Sequence, residues 1–276
     1  MTSVTDLRDT FIVTVLSGAW PQNRPDLGPM YVHRLQKMCR DSIPGIPFIC
    51  FTDREIPGVV TRYLPPWLPG WWGKLYAFAP SNFPLGSRIL VLDLDTVVRR
   101  LDKVLAVDLT VPVFIRDAHF RTHAGSGVFS FRTSRQTARI WLDFPYEQKG
   151  PPFQHPTGGP KLTDEHWIHE YIMKPRDATN WLGWDEMLPG RVVSYKHDLH
   201  QSCEDLAPEV DVVFFDGNPR PHEVVARWNP HALAEHGTVP CCHIKTLNAI
   251  GRRNGNRASG TFRWLERASV DIRRAA

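Results

Sequence analysis

Two aspartates, Asp93 and Asp95, close the apolar run Arg88-Ile89-Leu90-Val91-Leu92, with Leu94 between them and Thr96-Val97-Val98 beyond. A continuous apolar run with β-branched residues reads as a strand buried on both faces. Carried on a strand, the two carboxylates project to one side and Leu94 to the other, with the acids roughly 7 Å apart. Acids that close repel each other unless a cation sits between or beside them. Hard carboxylate oxygens suit magnesium, manganese or calcium. Ligands of open α/β sheets gather at the carboxyl ends of strands, so the pair predicts a metal site and a phosphate held by that metal. The plain alternative is an Asp pair that caps a helix or opens a turn.

The elements that must position this pair alternate in type. Residues 11–16 (FIVTVL), 48–51 (FICF), 59–64, 89–92, 111–115, 127–131 and 212–215 read as strands. Residues 31–40 have helical spacing, with Val32, Leu35, Met38 and Cys39 on one side. Residues 71–78 read as helical, and 164–173 as a helix opening at Thr163. Strands alternating with helices predict an α/β fold. The Gly- and Pro-rich residues 149–160 read as a loop.

Composition narrows the class. With 42% hydrophobic and 22% charged residues, the chain of 276 has the make-up of a soluble globular protein with a sizeable core. It contains no apolar run of about 18 residues, so no transmembrane helix is expected. Residues 1–10 lack the basic and apolar segments of a secretory signal. Five cysteines, at 39, 50, 203, 241 and 242, form no disulfide framework. Reduced thiols and a cytoplasmic location are therefore expected. Cys241 and Cys242 are adjacent, and with His243 they match no zinc spacing. Of the net charge of +4, residues 241–276 carry +6 and residues 1–240 carry −2. The expected organisation is one domain over 1–240 and a basic, partly helical extension over 241–276.

Several segments then fit one pattern. FIVTVLSG (11–18), FTD (51–53), GKLYAF (73–78), LDLDTVV (92–98), GSGVFSF (125–131), TDEHWI (163–168) and FFDGNPRPHEV (214–224) occur in that order. In order and spacing the chain resembles nucleotide-sugar glycosyltransferases of the GT-A fold, in particular the family-8-like group, over roughly residues 11–225. The resemblance implies a single GT-A, Rossmann-like α/β domain with a mixed, mostly parallel central sheet flanked by helices. It also implies transfer of a sugar from a nucleoside-diphosphate sugar, UDP-linked, to an acceptor hydroxyl.

The resemblance further implies roles for particular residues. Asp93 and Asp95 would hold Mn2+ or Mg2+ on the donor diphosphate, with Leu94 between them also against the donor. The family's third ligand is a His; this chain has Asp216 there, followed by Gly217, with His222 as the alternative ligand. Arg220 stands where a Lys touches the diphosphate. Tyr31 and Asp53 would hold the uracil ring, and Thr14, Leu16 and Ser17 would floor the pocket; Tyr31 reads equally as a core aromatic. Lys74 would meet the donor or stand solvated. Ser126 belongs to the sugar-contact motif, whose Asn is Gly125 here. Asp164 and Glu165 fall where a carboxylate and an amide lie beside the transferring sugar, and both also suit a helix's first turn. A Glu at the amide position suits a general base and inversion, whereas the family retains configuration. Asp117 would line the same cleft. The Trp residues read chiefly as packing.

Two rival classes remain open. Asp93-Leu94-Asp95-Thr96-Val97 also fits the first motif of haloacid-dehalogenase-like phosphatases, with Asp93 as nucleophile. That motif normally opens its domain, and here some ninety residues precede it. A degenerate transferase that only binds a nucleotide or glycan is the other. In the tail, Phe262, Leu265, Ala268 and Ile272 fall at helical spacing beside Arg263, Arg267, Arg273 and Arg274. Beyond a solvated face, such a segment suits an anionic membrane surface, or DNA if the acceptor is a hydroxylated base. A glycolipid or polysaccharide acceptor is the alternative.

Overall fold

The computed structural model describes residues 7–18, 28–68, 70–117, 122–144, 163–173, 181–199, 207–215 and 220–221. The chain divides into Met1–Thr238 and Val239–Ala276; every described residue belongs to the first. The expectations for residues 149–160, Asp216, Gly217, His222 and the basic tail lie outside the described residues.

In chain order the elements are β1 (Thr10–Leu16), α1 (Pro29–Ser42), β2 (Phe48–Thr52), β3 (Val60–Tyr63), a 3-10 helix (Gly70–Phe78), β4 (Arg88–Leu92), β5 (Val97–Val98) and α2 (Asp102–Ala106). Then come β6 (Val113–Arg116), β7 (Ala124–Arg132), α3 (Arg135–Leu142), α4 (Asp164–Met173), β8 (Leu182–Gly183), α5 (Trp184–Met187), β9 (Val192–Ser194) and β10 (Val212–Phe214). Seven strands form the main sheet in the order β3-β2-β1-β4-β7-β6-β8. β7 runs antiparallel to both its neighbours, and the remaining pairs are parallel. β5, β10 and β9 form a smaller sheet. The expected α/β domain with a mixed, mostly parallel sheet is present.

Hydrophobic pattern explains the layering. All five residues of β2 and of β4 are buried, as central strands covered on both faces must be. α1 opens with Pro29 in its first turn, where the missing N–H costs nothing. It turns Val32, Leu35, Met38 and Cys39 inward. α3 is closed at its start by a reciprocal capping box between Ser134 and Thr137. At the core, Phe78 stacks on Phe131 at 4.3 Å and on Phe129 at 5.5 Å. Trp184 is fully buried and donates through Nε1 to the Val128 carbonyl, in keeping with a packing role.

The segment read as helical over 71–78 is a 3-10 helix, long for that type. It lies against β1, and the reason for Gly73 is steric: a Cβ there would stand 2.6 Å from Val15 Cγ1. Gly73→Ala is expected to cost about 1–3 kcal/mol through overpacking, measured by urea unfolding. A neutral result would mean that the 3-10 helix can move away from β1.

One expectation at the centre of the sheet is corrected. β4 ends at Leu92, so Asp93 and Asp95 do not ride a strand with side chains on a shared face. Asp93 N still donates to Gly127 O (2.9 Å), continuing the pairing with β7 by one bond. Thr96 N then donates to Asp93 O (3.0 Å) and closes a turn that buries Leu94. The two carboxylates consequently meet different partners.

Candidate active site

The carboxyl end of β4 lies mid-sheet, beside the start of β7, where Leu92 pairs with Val128. This places the Asp93–Asp95 turn next to Ser126. The 3-10 helix brings Lys74 to the same place. Lys74 Nζ lies 2.8 Å from Asp93 Oδ1, 3.5 Å from Asp164 Oδ2 and 2.9 Å from Ser126 Oγ. It also donates to the Ser126 carbonyl at 3.3 Å. The Lys74 side chain is 8% exposed, which removes the solvated alternative. Lys74 is the hub of an acidic cluster. Burial opposes its charge, but Asp164, then Asp93 and Glu165, raise its pKa above the ordinary lysine range.

α4 supplies the acids of this cluster. Thr163 Oγ1 caps its first turn by accepting from His166 N at 3.4 Å, the helix opening expected there. Asp164, 2% exposed, faces Lys74. Glu165 Oε1 accepts from Ser126 N at 3.1 Å and lies 3.4 Å from Ser126 Oγ. Burial, then Asp164, push Glu165 up to about 7; Lys74 and the Ser126 N–H pull against them, and Asp117 adds a further upward push. Burial likewise pushes Asp93 up to about 7, opposed by Lys74 and aided by Asp95 and Asp164. Asp95, 7% exposed, accepts from Arg220 Nη1, and the Arg220 side chain is 4% exposed.

Four carboxylates (Asp93, Asp95, Asp164 and Glu165) thus surround two cations, Lys74 and Arg220. Fully ionised, the cluster is short by two positive charges, and the neighbouring carboxylates add to burial in raising Asp93 and Glu165. A divalent cation fits that deficit in charge and in ligand hardness. Among the described residues no group of three His, Cys, Asp or Glu side chains is arranged to hold a metal. Asp216 and His222 fall outside them.

The residues expected at the nucleotide end separate into ties and core. Thr14 Oγ1 donates to Leu92 O at 2.8 Å, fully buried, and so joins β1 to β4. Ser17 Oγ accepts from Gly70 N at 3.2 Å and anchors the 3-10 helix. Leu16 is buried. Asp53 Oδ2 accepts from Gly18 N at 2.9 Å, linking the ends of β2 and β1. Burial pulls Asp53 upward, but Arg54 and the N–H donors outweigh it and hold the carboxyl below its ordinary range. Tyr31 is 4% exposed in α1, with the Arg34 guanidinium 5.7 Å from its ring centroid. Tyr31 is therefore a core aromatic rather than an open stacking face.

The glycine at 125 has a local cause. β7 meets β6 at an irregularity between Phe114 and Ile115. A Cβ at Gly125 would stand 3.0 Å from Ile115 Cγ2 and 3.3 Å from Asp117 N. A larger residue fits only if β6 gives way. Sequence reasoning missed His123 and His169, whose rings stack at 3.9 Å beside this segment. His166 and His169 three apart on α4 were the available signal.

No family model matches the chain, and no curated protein sequence does. Solved structures do. An active-site mutant of LgtC is 12% identical with a TM-score of 0.49, covering 80% of this chain and 92% of that one. The galactosyltransferase LgtC in complex with donor and acceptor sugar analogs is 12% identical, covers 77% and 89%, and has a TM-score of 0.47. The apo form of the glycosyltransferase GlyE of Streptococcus pneumoniae TIGR4 is 12% identical with a TM-score of 0.48, covering 83% of this chain and 57% of that one.

Proposed function

We propose that this protein transfers a sugar from a nucleoside-diphosphate sugar, UDP-linked, to an acceptor hydroxyl, using the cluster around Lys74. The observation that carries the reading is the acidic constellation at the carboxyl end of β4, short of two positive charges and flanked by Arg220. Mn2+ or Mg2+ would be held by Asp93 and Asp95, with Asp216 or His222 completing the set. Bound there, the ion supplies Lewis-acid stabilisation of the departing diphosphate.

The chain's own residues do the rest. Lys74 fixes the Asp93 carboxylate and offsets its repulsion from Asp164. Arg220, buried against Asp95 in the structure, would turn its guanidinium to the donor phosphates, a group suited to paired oxygens. Asp53 reads the uracil edge from the end of β2. Glu165, its Oε1 held by Ser126 N–H, presents its other oxygen to take the acceptor proton. A Glu in place of the family's amide supports the base role, and the anomeric configuration of the product tests it directly.

The test is a thermal-shift and nucleotide-release screen against UDP-, GDP- and CDP-sugars, with and without Mn2+. A ligand that binds only the folded protein must raise its melting temperature. The expected result is a shift of several degrees with a UDP-sugar that requires the metal and is lost in Asp95→Asn. Asn is preferred to Ala because it keeps an acceptor for the buried Arg220. A shift that is the same without metal removes the metal assignment. Hydrolysis of an aryl phosphate that disappears in Asp93→Asn would replace the transferase reading with the phosphatase.

A further inference from the structure

Glu165 and His169 lie four residues apart on α4, so they share one face of the helix. Ala124 and Ser126 lie two apart on β7 and share one face of the strand. The two faces are matched. Ser126 N donates to Glu165 Oε1 at 3.1 Å, and Ala124 N donates to His169 Nδ1 at 3.3 Å. α4 is thereby clamped to the start of β7 at two alternate amides. Between them is Gly125, where an added Cβ would stand 3.0 Å from Ile115 Cγ2. The clamped segment carries Ser126, whose hydroxyl and carbonyl both hold Lys74.

We infer that His169 is a positioning residue for the proposed transfer: its neutral ring latches α4 to β7 through Ala124 N–H, holds Glu165 in place, and lets go when the ring is protonated. The inference rests on the proposed function for its catalytic consequence, but the latch itself does not. Accepting at Nδ1 requires a lone pair there, so the ring proton sits on Nε2. An imidazolium has no acceptor at all.

The groups around the ring set when this happens. His166 and Glu170 face it from α4, His123 stacks on it from the residue before β7, and Asp117 faces it from the end of β6. Burial first, then His123 and His166, hold His169 below the ordinary histidine range; Glu170 and Asp117 oppose them. The folded ring therefore binds its proton less readily than the unfolded one. Its contribution to stability is present above the unfolded value and is lost as pH falls from there through the lower folded value.

Hydrogen exchange at the Ala124 amide, corrected for the intrinsic effect of pH, reads the latch. In the wild type, protection is expected to drop about 10-fold or more on acidification, as an opened hydrogen bond requires. In His169→Asn, whose Oδ1 replaces Nδ1 and does not titrate, protection is expected at both pH values. In His169→Ala it is expected at neither. Under neutral conditions His169→Ala should lower kcat about 10-fold with little change in donor KM, and Asn should restore it, because misplacing a catalytic group acts on the chemical step. Protection that ignores pH, or survives in His169→Ala, overturns the latch. A fall in kcat that Asn does not restore, or an equal rise in KM, overturns the positioning role. If no donor supports transfer, the exchange result still decides the latch, and only the proposed function fails.

Discussion

Lys74→Met is expected to lower the melting temperature by roughly 6–20 °C at about pH 8, and by much less near pH 5. Lys74 is buried with Asp93, Asp164 and Glu165 around it. Removing one partner of a buried ion pair typically costs about 3–5 kcal/mol, because charge is left behind without compensation. Here three acids are left behind. Methionine keeps most of the volume, so the loss reads charge rather than a cavity. The pH dependence supplies the sign. Asp93 and Glu165 are both pushed up to about 7, so at low pH they are neutral in the folded state and need Lys74 less. Adding Asp93→Asn to Lys74→Met should recover part of the stability, a coupling that a double-mutant cycle isolates. Calorimetric melts of the four proteins at the two pH values give the answer. An equal drop at both would mean that Lys74 matters for packing and not for its charge.

That hub shows what the sequence hides. The apolar runs made β1, β2 and β4 legible, because fully buried strands leave an unbroken hydrophobic signature. α1 was legible from its period, and α4 from Thr163 at its start. β5 and β8, of two residues each, were not, since a pair of residues has no period and exists only through its partner strand. The aspartate turn was read as an extension of β4, because Thr96-Val97-Val98 continues the β-branched character past the break. What ends the strand is tertiary: Asp93 closes a bond with Thr96 and finds Lys74, 19 residues away, while Asp95 finds Arg220, 125 residues away. No window of sequence carries those pairings. A lysine inside the aromatic run WWGKLYAF was the one local hint. A charge placed among residues bound for the core must bring its counter-charge from elsewhere.

Glu165→Gln separates function from stability. Turnover is expected to fall by about 10²–10⁴-fold, the usual contribution of a positioned general base. The fold is expected to become more stable by a few degrees at about pH 8 and to change little near pH 4. Unfolded, Glu165 has the ordinary value of 4.5; folded, it is raised to about 7. Between those values the folded state holds a proton that the unfolded state has lost, so its contribution to stability falls as pH rises and stays low above about 7. Glutamine is neutral at every pH and still offers an oxygen to Ser126 N–H, so it removes the cost of the buried charge and keeps the contact. The wild-type rate should climb with pH through about 7 as the carboxylate forms, while the residual rate of the variant should be flat there. Paired pH–rate and pH–melting curves test both halves at once. A variant that is both inactive and less stable would make Glu165 a docking residue for α4 alone. One that keeps full activity would move the proton transfer to Asp117, the other acid whose charge reaches Glu165 from outside α4.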